Sequence, residues 1–161
     1  MDDTDFATSG GGLNNVDLHY HFGHGDQILS GGSWTTDVQY TNSPNSDLTR
    51  FEVYKKWGSS TSSPNKWVVL DACWVLNDLQ WGGALKYSHG ILGFASYKSV
   101  NSQLASYFMW YATNLDYSVS YSWERATKDA LDGNDQTGRV IFDTGSIVER
   151  SSPWPWKCFP E

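Results

Sequence analysis

KWVVLDACWVL (residues 66–76) begins with an apolar, valine-rich run that is unbroken from Trp67 through Leu70. A short run of this kind fits a central strand covered on both faces. An earlier stretch, VDLHYHFGHGDQ (residues 16–27), behaves differently. There Val16, Leu18, Tyr20 and Phe22 alternate with Asp17, His19 and His21, which is the period of a half-buried strand. Gly23-His24-Gly25 then permits a sharp exit, leaving His24 at the strand's C-terminal tip. Between the two stretches one helix is expected. Ser46 or Asp47 caps it, Leu48, Phe51, Tyr54 and Trp57 recur at roughly helical spacing, and Gly58 ends it. A strand–helix–strand crossover makes the two strands parallel, so both C-terminal tips lie on one edge of the sheet.

The remaining elements follow from pattern. A short helical segment is expected over 76–87, then a buried strand in GILGFASY (90–97). Two helices come next, about Ser102 to Thr113 and Val119 to Leu131, with Gly133 as a stop. GRVIFDTG (138–145) reads as a last strand. The chain is one domain over 1–161, with 1–12 a flexible lead-in and 151–161 an irregular tail whose prolines forbid regular pairing. The fold class is α/β with a mainly parallel sheet.

Composition narrows the partners. The net charge is −7 and the basic residues are scattered, which disfavours nucleic acid and anionic membrane surfaces. No apolar run is long enough to cross a bilayer, and the acidic start is not a signal peptide. Two cysteines, Cys73 and Cys158, cannot build a disulfide framework and leave the compartment open. Nine Trp, nine Tyr and seven Phe are either bulky core filler or, where exposed, stacking surfaces.

A cysteine and a histidine at the tips of neighbouring parallel strands are the minimal unit for thiolate chemistry. The histidine shares the thiol proton and the thiolate attacks a carbonyl. Cys73 and His24 are the candidate pair, with backbone N–H groups at Gly25 and Cys73 to receive an oxyanion. Ligands of open α/β sheets also bind at the carboxyl edge. Asp26, Trp34, Trp74 and Asp78 fall near that edge as substrate-binding candidates, and Trp81 lies beside them. His89 sits at the opposite end of its strand and is expected to support or pack.

HYHFGHGD, KWVVLDACWVL, YSHGILGFAS and YSWERATKDAL, in this order, resemble the caspase-like cysteine peptidase superfamily, which includes caspases, gingipains, legumain, separase and CHAT domains. The similarity is greatest to an archaeal and bacterial branch of unknown function and covers roughly Val16 to Leu131. The resemblance implies a three-layer α/β/α sandwich, a His24–Cys73 dyad and endopeptidase activity on a peptide or protein substrate, with no cofactor. Full domains of the superfamily carry further strands and helices before the histidine strand. Here only about fifteen residues precede it, so a reduced or partial version of the fold is implied.

Three other functions compete with the peptidase. One is a catalytically inactive binding or scaffold domain of the same fold, and another an aromatic-rich carbohydrate-binding protein. The third is a metal protein using Asp17, His19 and His21, which share one strand face but show no fourth ligand. With Asp26 and Asp78 at the edge and no arginine beside either motif, a peptidase here is expected to prefer a basic residue before the cut.

Overall fold

The structure is a computed structural model that describes residues 3–6, 12–30, 32–39, 47–58, 65–131 and 138–143. Its regular elements are β1 (Leu18–Phe22), β2 (His24–Ser30), β3 (Ser33–Gln39), β4 (Leu48–Thr49), β5 (Trp67–Asp71), β6 (Gly90–Phe94), α1 (Leu104–Thr113), α2 (Val119–Ala130) and β7 (Gly138–Phe142). Four strands form the main sheet in the order β1-β5-β6-β7, and β2-β3-β4 form a small antiparallel sheet. β1, β5 and β6 are parallel, and β7 runs antiparallel at the edge. β5 is therefore interior, as its unbroken apolar run requires, and the protein is a mixed α/β fold with a mainly parallel sheet.

Alternate residues of β5 feed two separate cores. Val68 and Leu70, continued by Ala72, face one of them, and Trp67 and Val69 face the other. The second core is roofed by α1 and α2 through Leu104, Phe108, Ala112, Val119, Trp123 and Ala126. Ser118 caps α2 by accepting from the Tyr121 N–H at 3.3 Å. The Trp123 indole donates to the Gly93 carbonyl at 3.3 Å, tying this helix to β6. Both helices lie within two residues of the spans their sequence periodicity implies.

The first core is covered differently. Two 3-10 segments, Val75–Asn77 and Leu79–Ala84, and the small sheet lie over it, bringing in Leu76, Trp81, Val38 and Leu48. Among the described residues this face carries no α-helix. The helix expected over 48–57 is absent: β4 is followed by turns. Its supposed apolar stripe does not hold, because Phe51 and Tyr54 are each 58% exposed while Val53 is buried. The backbone groups find tertiary partners in place of helical ones. Lys55 N–H donates to Gly83 O (2.8 Å) and Trp57 N–H to Ala84 O (3.0 Å). Gly58 does end the segment, in the left-handed region (φ 70°) and with backbone of Tyr87 and Ser88 against it. Among the described residues the path from β1 to β5 thus holds a hairpin and turns, yet the parallel pairing it serves is as expected.

Two further expectations change. The start of the chain is not wholly loose, since Phe6 sits in a 3-10 turn, is fully buried and accepts from the Trp57 indole at 3.1 Å. Trp81 is core, stacked on Trp57 with ring centroids 6.0 Å apart, and does not face the edge. No helix of the described residues is long and apolar enough to cross a membrane. The tail 151–161, with Cys158, and the residues 144 and 145 expected in the last strand lie outside the described residues.

Candidate functional site

Parallel pairing sets the geometry at the carboxyl edge. Phe22 lies opposite Asp71, and the Gly23 N–H donates to the Asp71 carbonyl at 3.3 Å. His24 and Cys73 each come two residues past that pair. Beyond Gly23 the chain leaves the main sheet, so His24 is also the first residue of β2, opposite Gln39. Gly25 is pressed against the Cys73 backbone. A Cβ at this position would lie 2.3 Å from the Cys73 carbonyl oxygen, 2.8 Å from a Val75 methyl and 3.0 Å from the Asp37 carbonyl oxygen. Only glycine permits this approach, which pins the hairpin to the edge. Successive strand residues face opposite sides, so His24 opens to solvent where Gly25 faces Cys73.

The Cys73 thiol is partly buried. Its Sγ lies 3.5 Å from both the N–H and the carbonyl oxygen of Lys98, accepting from the first and donating to the second. His24 makes no hydrogen bond through its side chain among the described residues. Both residues thus follow paired strand ends, while the sulfur's direct partner is the Lys98 backbone.

Lys98 and Asp71 form the strongest polar feature of this edge. Their side chains are each 2% exposed, with Nζ 2.5 Å from a carboxylate oxygen. The other Asp71 oxygen accepts from the Tyr20 hydroxyl at 2.8 Å. Burial, reinforced by the neighbouring carboxylate, pushes the Tyr20 phenol well above its usual range, so it stays a neutral donor. Phe22 and Phe94 place ring faces 4.8 and 5.6 Å from Lys98 Nζ. Lys98 lies outside every motif legible in the sequence. The available signal was Asp71 itself, a carboxylate within a buried strand that needs a cation or donors nearby.

The substrate-binding candidates separate. Trp34 is 70% exposed on β3, and Asp26 is exposed on β2, its N–H bonded to Asp37 Oδ1 at 2.9 Å. Trp74 is half-buried in a left-handed turn (φ 63°), its N–H donating to Ser96 O. Asp78 is not a free carboxylate. Arg50 Nε lies 2.5 Å from its Oδ2, which also accepts from Thr35 at 3.0 Å. That corrects the expectation of an arginine-free acidic pocket and removes the reason to expect basic specificity. The turn that replaces the expected helix is what brings Arg50 there.

The histidine face of β1 is occupied in another way. Among the described residues no three His, Cys, Asp or Glu side chains gather as a ligand set, so Asp17, His19 and His21 do not. The two imidazoles instead pack edge-on to Phe6, with centroids 5.0 and 5.3 Å away. His89 packs beside Trp67 at the opposite end of the sheet, as its position implied.

A family model described as a domain of unknown function, DUF6345, matches residues 2–150. The chain belongs to the DUF6345 family. No curated protein and no solved structure matches it.

Two buried titratable groups give this DUF6345 domain opposing pH responses. Burial, with a smaller contribution from His19, lowers His21 from 6.5 to about 4. The unfolded chain then binds the extra proton first, so this contribution is full above pH 6.5 and is lost as pH falls towards 4. Burial raises Asp37 from 3.8 to about 6, so its contribution runs the other way, and stability falls as pH rises through that window. Asp37→Asn should gain in thermal midpoint over the parent as pH rises from 4 to 6, and His21→Gln should lose. Midpoint differences that stay constant with pH would contradict both assignments.

Proposed function

We propose that the domain is a reduced caspase-like α/β fold and that its carboxyl edge performs cysteine endopeptidase chemistry on peptide or protein substrates. The observation that carries this is the shared edge, with His24 and Cys73 each two residues beyond the paired Phe22 and Asp71. In this scheme Cys73 gives its thiol proton to His24 and attacks the scissile carbonyl carbon. The C–N bond breaks and the amine leaves with the proton from His24. Water then adds to the thioester, releasing the acid and restoring the thiol. The exposed His24 must turn towards the sulfur when substrate binds, and such contacts are often long in a free site.

A second function is favoured by a specific contact. The sulfur is held by the Lys98 backbone and makes no hydrogen bond to His24, as in a catalytically inactive binding or scaffold domain. Thiol reactivity separates the two. For the peptidase, a peptidyl acyloxymethyl ketone should label Cys73 in the full chain at neutral pH, and His24→Ala should slow labelling by about 100-fold or more. Cleavage of a fluorogenic peptide library should fall with it and vanish in Cys73→Ser. Equal labelling with and without His24, together with no cleavage, selects the binding domain.

A further inference from the structure

A groove of about 410 Å³ lies between the small sheet and the 3-10 segments, away from Cys73. This volume is within the range of small-molecule sites, about 300–1,000 Å³. Trp34 and Leu79 stand at it as large apolar side chains, 70% and 62% exposed. Its one charged lining residue, Asp78, is neutralised by Arg50 at 2.5 Å. The threonine hydroxyls are already committed. Thr35 donates to Asp78, and Thr36 donates to Val75 O at 2.6 Å while accepting from the Trp81 indole at 2.8 Å.

What remains for a ligand is three carboxamides, on Gln27, Asn77 and Gln80, whose side chains make no hydrogen bond among the described residues. Each carboxamide offers a donor and an acceptor side by side. The groove thus combines an open indole face, an aliphatic neighbour, paired neutral donors and acceptors, and no free charge. A neutral pyranose fits that description. Its C–H face stacks on an aromatic ring and its vicinal hydroxyls are matched by carboxamides, whereas an ionic ligand would find no counter-charge.

We propose that this groove is a binding site for a neutral saccharide, with Trp34 as the stacking platform and Gln27, Asn77 and Gln80 as hydroxyl partners. It is independent of chemistry at Cys73.

The test is isothermal titration and tryptophan fluorescence of the full chain against neutral gluco-, manno- and galacto-configured di- and trisaccharides. Sulfated counterparts and an uncharged blocked tripeptide run beside them. At least one neutral saccharide should bind and perturb the fluorescence. Trp34→Ala should weaken that binding about tenfold, with an unchanged thermal midpoint because the side chain is exposed. Gln80→Ala should weaken it several-fold, and Cys73→Ser should leave it unaltered. The proposal is overturned if no neutral saccharide in the panel binds, if Trp34→Ala binds as tightly as the parent, or if the sulfated or peptide probes bind more tightly.

Discussion

Replacing Lys98 with alanine is expected to lower the unfolding free energy by about 3–5 kcal/mol, because it strands a buried carboxylate without its cation. Asp71 is 2% exposed and its only charged neighbour within salt-bridge reach among the described residues is Lys98, at 2.5 Å. The Tyr20 hydroxyl on the other oxygen cannot replace a cation, and Tyr20→Phe alone should cost about 2 kcal/mol. Asp71→Ala should be as severe as Lys98→Ala, since it leaves the ammonium buried. Removing all the polar members together is different. Lys98→Met with Asp71→Leu and Tyr20→Phe should recover most of the loss, as an apolar replacement of a buried pair often does. Urea denaturation of the four variants measures this. A loss under 1 kcal/mol for Lys98→Ala would mean that water reaches the pair. Cys73 alkylation in folded Lys98→Ala should also quicken, because the ion pair holds the backbone that brackets the sulfur.

The second large effect is expected at Gly25. Gly25→Ala should destabilise by about 3 kcal/mol, at the upper part of the overpacking range. The reason is that two of the three atoms its Cβ would meet are backbone carbonyl oxygens, at 2.3 and 3.0 Å, which cannot rotate away. The strain can be relieved only by lifting β2 from the edge of β5. Gly12→Ala is the matched control, because a Cβ there meets nothing within 4 Å. Parallel thermal melts decide it: equal midpoints for the two alanine variants would show that the hairpin is not pinned at Cys73. His24 rides on the same hairpin, so a Gly25→Ala variant that still folds should also lose any His24-dependent labelling of Cys73.

Periodicity alone determined the framework of this protein. The unbroken Trp67–Leu70 run placed β5 inside a parallel sheet, the alternation over 16–22 placed β1 beside it, and 3.6-residue spacing located α1 and α2. In β5, α1 and α2 these local patterns record which faces are buried; in β1 they do not, since His21 on the polar face is 6% exposed and Phe22 on the apolar face 54%. The same patterns put His24 and Cys73 on one edge, because parallel strands end together.

Tertiary structure decided what local pattern does not encode. Residues 48–57 have helical spacing, but their backbone groups bond across to Gly83 and Ala84, and such distant partners override a weak local preference. Phe6, alone in a polar lead-in, covers the imidazole face of β1 because the fold brings the chain start across it. Arg50 reaches Asp78, and Lys98 reaches Asp71, over separations of 28 and 27 residues that no sequence period links. Desolvated charges must find partners, so the chain shows that Asp71 needs a cation; only the folded path from β6 to α1 selects Lys98 to supply it.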